Sequence, residues 1–489
     1  MHDTKTAIVR SSPRGSGNMA SPRTLLVVAC AAFLIAPSLR AEVLHYWVED
    51  LGTLGGTSST SGGYGTINAS GQVIGYSKIA GDTAQHAFRT AATGAMDATS
   101  DLGTAMGSFS IALGINDSGQ AVGYASGTGP THAFRTAANG PITAASDLGG
   151  SNSSAMAINA SGQVVGDTFP AGGGRHAYRT APNGVIDAQS DLGTLGGTVS
   201  TAYGINASGQ AVGYAYLAGN KVFHAFRTEP NGLITAASDL GTLGAGTLSR
   251  AFGINASGQI VGVSSTSLEY YDHAIRVAPG GVITASSDLG TLGGTTSQGY
   301  GINDAGQVVG NSMTTGDVAQ HAFFADVNGP MIDLNSRVSA ASGWVISRAT
   351  GINNTGQIAG SGERNGITHA LRLTPATPGD LNGDFKVDFS DLSVLAQGYN
   401  AAGGAWNWES GDFTGDGKVD FYDLAMLAQH YNSGATGEAV SADFARDLAV
   451  VPEPSCAAVA TLVVFGVLIR RRRIFFSAGL PRRASHGRG

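Results

Sequence analysis

Cysteine is nearly missing from this chain of 489 residues: Cys30 and Cys456 are its two copies, and each lies in an apolar stretch near a terminus. The body between them therefore has no disulfide frame, no thiol nucleophile and no thiolate-held metal. Charge is sparse as well, at 13% Asp, Glu, Lys and Arg. Residues 1–41 hold five Lys/Arg and one Asp, and residues 470–489 hold seven Arg and no acid, which leaves 16 basic against 34 acidic side chains between them, a balance of −18. So acidic a body argues against nucleic acid as a partner and favours divalent cations. Long apolar runs are also lacking. The stretches 24–36 and 456–469 are each shorter than the roughly 20 residues that a membrane span needs by itself.

The first of these stretches follows Arg23 and leads through Pro37 to a small-residue exit at Ala41, the pattern of a Sec-type signal peptide over residues 1–41. Met19 offers a second start within the long basic leader. Lipidation at Cys30 is disfavoured, because the apolar run continues past it to Ala36.

What the chain has in abundance is glycine, 73 residues of it. With so little charge, this composition points to a turn-rich β protein rather than a disordered one. A three-part unit recurs seven times: Asp-Leu-Gly-Thr, then Gly-Ile-Asn-x-x-Gly-Gln-x-x-Gly, then His-Ala-Phe-Arg. The Ile of the middle motif stands at 67, 115, 158, 205, 254, 302 and 352, giving steps of 48, 43, 47, 49, 48 and 50 residues. Such a period belongs to a propeller blade or a solenoid turn. In one unit, Thr201 to Asn206, Gln210 to Ala215, His224 to Thr228 and Leu233 to Leu240 read as four short strands. Turn-forming Asn-Ala-Ser-Gly and Asn-Gly segments join them into a meander.

The ends of the array fit a closed ring. Residues 42–52 read as a lone fourth strand before the first complete unit, while the last unit stops after its third strand at Thr374. The orphan strand would complete the final blade and remove two sheet edges. The expectation is an all-β main domain, a seven-bladed β-propeller over 42–374 closed by the N-terminal strand. The alternative, an open β-solenoid, calls for distinct capping repeats, which are not evident.

The repeated polar residues read as structure. Seven equivalent histidines (His86, His132, His176, His224, His273, His321, His369) are too dispersed in a ring to share one ion, and each is expected to hydrogen-bond inside its blade. The seven Asp residues of Asp-Leu-Gly (Asp50, Asp101, Asp147, Asp191, Asp239, Asp288, Asp333) are expected to cap turns. Catalysis would require a differentiated pair in one pocket. Asn68-Ala69-Ser70 and its copies match a glycosylation pattern but coincide with hairpin turns. Specificity is instead expected from unrepeated loop residues: Asp82, Lys221, Glu269, Tyr270, Tyr271, Asp272, Asp317, Glu363 and Arg364. No two of them have a catalytic spacing. The expectation is that the chain is not an enzyme.

These motifs resemble the HAF repeats of bacterial extracellular proteins, over residues 43–374. Tyr178, Ile275 and Leu371 depart from the Phe of the triplet. The resemblance implies export and supplies no catalytic site.

Past Pro375 and Pro378 two twelve-residue loops appear. Asp380, Asn382, Asp384, Asp388 and Asp391 stand at loop positions 1, 3, 5, 9 and 12, with the Lys386 carbonyl at 7; Asp412, Thr414, Asp416, Asp420 and Asp423 repeat this, with the Lys418 carbonyl. Oxygen donors in that order suit calcium. Two calcium sites are expected, the second the more secure: Phe385 occupies position 6, where glycine relieves a positive φ, whereas the second loop has Gly417. Short helices are expected at 392–399 and 424–431. The duplicated loop and helix over 379–432 is similar to a type I dockerin domain, a calcium-folded module that plugs into a cohesin domain on another protein. By that resemblance the partner-contact positions are Phe389, Ser390, Phe421 and Tyr422, bulkier than is usual there. A calcium-stiffened spacer is the competing role for the module.

The chain ends with Pro452, Glu453 and Pro454, the apolar stretch 456–469 and an Arg cluster at 470–473, before a basic tail over 474–489. Residues 451–473 resemble a PEP-CTERM signal, which implies an exosortase as partner during export and a transient transmembrane helix. Linkers are expected at 375–378 and 433–450. The whole reads as an exported cell-surface or matrix protein with a non-enzymatic binding propeller, for which an exopolysaccharide is a candidate ligand. A secreted carbohydrate-active enzyme and a purely structural matrix component are the alternatives.

Overall fold

Each repeat is seeded by its Asn turn. The Asn206 N–H donates to the Gln210 carbonyl, the Asn206 Oδ1 accepts the Gln210 N–H at 3.0 Å, and Gly209 sits at φ +79°, which glycine adopts without strain. The computed structural model describes residues 43–450, apart from 105–106, 127–128, 171–172, 268–270, 402, 433–443, 445 and 449. The chain divides into two bodies, Leu44–Ala376 and a second that contains the residues from Thr377 onward.

The repeat body is a succession of small antiparallel sheets. Three have four strands and two have three; a seven-stranded sheet consists of the first two units, joined by the single parallel pair Gln85 and Phe109. In the fourth unit Gly196–Ile205 pairs with Ala211–Leu217, which pairs with Phe223–Arg227. The repeated glycine of the second strand permits a close approach to the first. A Cβ on Gly213 would lie 1.9 Å from the Thr201 carbonyl oxygen, so no other residue fits.

The fourth strand differs from the sequence expectation. Leu233 to Leu240 is not extended: Ala236–Ser238 forms a 3-10 turn, closed by a Thr235–Ser238 capping box, and Asp239 makes a single bridge to Phe226. Where a true strand forms within a unit, as at Asp101–Gly103 and Asp191–Gly193, it has three residues, and the N-terminal strand that serves the last unit has five. The cause is local. The Asp side chain bends back to accept the N–H of the Gly two residues on, as Asp239 does from Gly241 at 2.8 Å, and that Gly takes a positive φ of 70°, which ends the strand.

The N-terminal strand Tyr46–Asp50 pairs antiparallel with Ile367–Pro375, from Tyr46 opposite Pro375 to Asp50 opposite Leu371. It thus forms one sheet with the last unit. A second connection runs through the buried Asn side chains. Each donates from Nδ2 to the main-chain carbonyl of the next unit's Asn: Asn68 to Asn116 at 3.2 Å, Asn116 to Asn159 at 3.1 Å, Asn159 to Asn206 at 3.1 Å, and Asn206 to Asn255 at 3.3 Å. Asn255 continues to Asn303 at 3.0 Å, Asn303 to Asn353 at 3.2 Å, and Asn353 returns to Asn68 at 3.1 Å. With the other Nδ2 hydrogen given to the Gln four residues on, as from Asn206 to Gln210 at 2.9 Å, these amides are spent, and they are buried. Their Asn-x-Ser sequences are turn chemistry.

The core lies between successive sheets. Phe88, Phe134, Tyr178, Phe226, Ile275, Phe323 and Leu371, all from the third strand, are at most 2% exposed. Each is worth about 1.5–3 kcal/mol relative to exposure.

In the second body two helices, Phe389–Gly398 and Phe421–His430, begin three residues earlier than the sequence suggests. Asp388 and Asp420 cap them, accepting the Ser390 and Tyr422 N–H groups at 2.8 Å each. The halves are tied reciprocally: the Asn400 N–H donates to the Val419 carbonyl, and the Asn432 N–H to that of Val387. Leu392, Leu395, Leu424, Leu427 and Phe413 fill the space between them. No helix among the described residues is long and apolar enough to cross a membrane; the apolar stretch 456–469 lies outside them.

Candidate functional site

The repeated His and Asp residues belong to one arrangement. Nδ1 of His86, His132, His176, His224 and His273 meets the carboxylate of Asp101, Asp147, Asp191, Asp239 and Asp288, at closest distances of 2.8 to 3.0 Å. His321 meets Asp333 at 2.7 Å and His369 meets Asp50 at 2.8 Å. The same carboxylates cap the turns, so one Asp both fixes its loop and orients a His. Reading the two residues separately missed the pair, although a constant separation of 15 residues in the first five was available. A repeated serine was missed as well. Ser249 Oγ accepts the Ala225 N–H at 2.7 Å and donates to the Gly241 carbonyl at 2.6 Å, bridging two units.

The unrepeated loop residues converge topologically. Asp82, Lys221, Tyr271, Asp272, Asp317, Glu363 and Arg364 all fall at the connection from second to third strand in their units. Glu269 and Tyr270 belong to the same connection but lie outside the described residues. Asp82 and Asp317 are structural. They accept from the N–H and hydroxyl of Thr57 and Thr295, and the Thr57 hydroxyl and N–H hold the Asp82 carboxyl below its ordinary range. Asn220 does the same for the Thr198 N–H at 2.8 Å. Lys221, Glu363 and Arg364 are exposed, and Tyr271 is 42% exposed.

At this end of the third and fourth units lies an open groove of about 540 Å³, lined by Phe169, Arg175, Thr198, Tyr214, Tyr216 and Asn220, with Gly174 and Val199 completing it. Arg175 is fixed by Asp167, with Nε 3.0 Å from Oδ2, and by the Tyr214 hydroxyl at 2.6 Å. Asp167 is buried; burial pushes its carboxyl up, against the pull of Arg175. Beyond Tyr214, Arg250 lies over the Phe223 ring at 4.5 Å from its centroid, and Asp272 feels this arginine while burial raises its carboxyl. A second, narrower cavity of about 170 Å³ is lined by the first strands of six units and carries Tyr64, Tyr203, Phe252 and Tyr300. Tyr64 stacks on Phe252 at 4.4 Å, and Arg348 covers Tyr300 at 4.2 Å. Burial pushes the Tyr300 phenol up to about 12.

None of Asp167, Arg175, Tyr214, Arg250 or Arg348 stood out in the sequence. An alignment of the seven units against one another would have found them. Arg250 and Arg348 each stand four residues before the motif Ile, where Ile111, Ser154, Thr201 and Gln298 stand in other units, and Asp167 follows the strand glycine where Tyr76, Tyr124 and Tyr214 stand.

Asp380, Asp391, Asp412 and Asp423, the first and last of each loop, are at most 4% exposed. Asp391 accepts the N–H groups of Leu381 and Asp388; Asp423 accepts those of Phe413, Thr414 and Asp420. Asp380 and Asp412 accept from their loops at Gly383 and Gly415, Asn382 and Asp384 from Asp384 and Lys386, and Asp416 from Lys418. Among the described residues no three His, Cys, Asp or Glu side chains are gathered at metal-binding spacing. The donor set nonetheless fits a hard cation: it is all oxygen, and burial raises the Asp391 and Asp423 carboxyls, an unfavourable state that a divalent ion relieves. Phe385 sits at φ +63°, where Gly417 has +79°. Its ring is 62% exposed, so no packing offsets the strain.

Phe389 and Ser390, and Phe421 and Tyr422, open the two helices on their first turns. Phe389 is 44% exposed and Phe421 36%. The expected sorting motif at Pro452, Glu453 and Pro454 and the expected signal peptide over residues 1–41 lie outside the described residues, which begin at 43.

Comparison with known families matches residues 378–432 to the dockerin type I domain. Dockerin type I modules bind calcium and act in extracellular docking, typically to cohesins. Residues 235–374 match the family described as protein of unknown function DUF3466. The X-ray structure of a putative gluconolactonase aligns with 68% of this chain and 98% of its own, at 10% identity and a TM-score of 0.31. No curated protein matches the chain.

Proposed function

We propose that the chain is an exported, non-enzymatic surface protein whose repeat body is a seven-bladed β-propeller, followed by a calcium-dependent docking module and a sorting tail read by an exosortase. The observation that carries the docking role is the duplicated loop and capped helix, matched end to end as a dockerin type I domain. Ring closure is supported by the Asn series that returns from Asn353 to Asn68 and by the strand Tyr46–Asp50 on the last unit. A binding rather than catalytic role is supported by the occupation of the repeated Asp residues: each holds a His and a turn. Calcium would be held by Asp380, Asn382, Asp384, Lys386, Asp388 and Asp391 in the first loop and by Asp412, Thr414, Asp416, Lys418, Asp420 and Asp423 in the second. It supplies folding energy there.

Titration of the full chain with a type I cohesin, first in calcium and then in chelator, tests this reading. A complex that forms only with calcium is expected. Failure to bind in calcium would reduce the module to a spacer, and turnover of any polysaccharide in a parallel hydrolysis screen would end the non-enzymatic reading.

A further inference from the structure

Two neighbouring units depart from the repeat at one register position. The third residue after the strand glycine is Lys78, Ser126, Ser265, Met313 or Glu363 in five units; it is Phe169 in the third and Tyr216 in the fourth. Both aromatics line the open groove of about 540 Å³. Phe169 is 46% exposed and Tyr216 is half-buried, so each leaves ring surface to solvent. The Tyr214 ring, by contrast, is buried, and its hydroxyl accepts from Arg175 Nη2 at 2.6 Å.

A second departure stands beside the first. In the first and sixth units Asp82 and Asp317 accept both the N–H and the hydroxyl of Thr57 and Thr295. The fourth unit has Asn220 in that place. Its Oδ1 accepts the Thr198 N–H at 2.8 Å, which leaves the Thr198 hydroxyl and Asn220 Nδ2 on the groove wall without a partner among the described residues. The Tyr216 hydroxyl is unspent in the same way. Charge then decides the kind of ligand. Among the residues that line the groove Arg175 alone is charged, and it is already matched, with Nε 3.0 Å from Oδ2 of the buried Asp167. An anion gains little from a guanidinium so paired, whereas the uncommitted Nη1 can still donate to a neutral oxygen. The ligand that fits has apolar ring faces, hydroxyls that both give and accept hydrogen bonds, and no net charge. We propose that this groove binds a neutral polysaccharide of hexopyranose units, with the C–H faces of its rings on Phe169 and Tyr216 and its hydroxyls on Thr198, Asn220 and Arg175. A proline-rich peptide would lie on the same rings but has no hydroxyl or N–H to give in return. The inference rests on reading the repeat body as a binding face and names what it binds.

Calorimetric titration of the full chain with neutral hexasaccharides of glucose, galactose and mannose, an oligouronate of equal length and a hexaproline peptide tests it. At least one neutral hexasaccharide is expected to bind about tenfold more tightly than the oligouronate or the peptide, with an affinity that does not change with salt. Phe169→Ala and Tyr216→Ala should each lower that affinity about tenfold. Asn220→Asp restores the acid of the first and sixth units, spends the Thr198 hydroxyl on it, and should lower the affinity about fivefold. If Tyr216→Ala loses its cooperative unfolding transition, Phe169→Ala and Asn220→Asp carry the test, since one side chain is largely exposed and the other substitution is already part of the repeat. Equal or tighter binding of the oligouronate or the peptide, indifference to Phe169→Ala or to Asn220→Asp, or no binding of any hexasaccharide would each overturn the proposal. Hydrolysis of a bound hexasaccharide would end the non-enzymatic reading and leave the site standing. Loss of cohesin docking would leave the site untouched.

Discussion

His369 Nδ1 lies 2.8 Å from Asp50 Oδ1, joining residues 319 positions apart in the chain. It is the same contact that the other units make over 12 or 15 residues. A local pairing rule, applied once between the two ends, becomes a clasp. Arg372, which donates to Glu49 from Nε at 2.9 Å and also from Nη2, reinforces it one residue inward on Asp50's strand.

Removal of that carboxylate should therefore cost more than removal of an internal copy. Asp50→Ala loses the His contact and the Gly52 cap, for about 1–2 kcal/mol, and it loosens the strand that holds the ends together. Asp147→Ala loses the same two contacts within the array. Urea unfolding should show the lower midpoint for Asp50→Ala. Equal midpoints would mean that the clasp adds nothing beyond its local bonds.

Tyr178 stands where most units have Phe, and its hydroxyl is buried without a hydrogen-bond partner. Burial raises its phenol well above the ordinary value, with a contribution from Asp167. Restoring the repeat residue by Tyr178→Phe removes the unsatisfied group, which should stabilise the protein by about 1 kcal/mol. A rise in the thermal midpoint is expected. A fall would show that the hydroxyl has a partner.

The parts of this molecule that repeat were legible, because seven copies average out local accident. The Asn hairpins, the pairing of Tyr46–Asp50 with the last unit, and the order of loop and helix in the second body could all be read from spacing. The fourth strand could not. Leu233 to Leu240 alternates well enough to look extended, and its conversion to a turn depends on Ser238 and Asp239 side chains folding back on the main chain. The two arginines that lie over aromatic rings were hidden for the opposite reason. Arg250 and Arg348 occupy register positions that vary from unit to unit, so attention to the recurring motif passed over them.

Phe385 makes the two calcium loops unequal. A non-glycine residue at φ +63° costs on the order of 1 kcal/mol, and an exposed ring recovers none of it. Phe385→Gly should raise the calcium affinity of the first loop by about fivefold, leaving the second unchanged. Titration followed by the intrinsic fluorescence of Trp406 and Trp408 would resolve the two steps. Equal affinities before substitution would refute the argument from strain.

Calcium removal should act on the second body and spare the first. Asp391 and Asp423 are wholly buried, and burial disfavours their charge, as do the neighbouring carboxylates of Asp388 and Asp384 at the one and of Asp412 and Asp420 at the other. Without a cation, unfolding lets both carboxylates return to water, so chelation should melt residues 379–432. The helical circular-dichroism signal should then disappear, while the repeat body, held by its own strand pairing and Asn series, keeps its own unfolding transition. Asp412→Ala with Asp416→Ala removes two donors from the better-formed second loop and should abolish the calcium-dependent part of that signal. The reciprocal bonds from Asn400 to Val419 and from Asn432 to Val387 couple the halves, so loss of the second loop should weaken calcium binding at the first as well. A helical signal unchanged by chelator would mean that packing of Leu392, Leu395, Leu424 and Leu427 suffices without the metal.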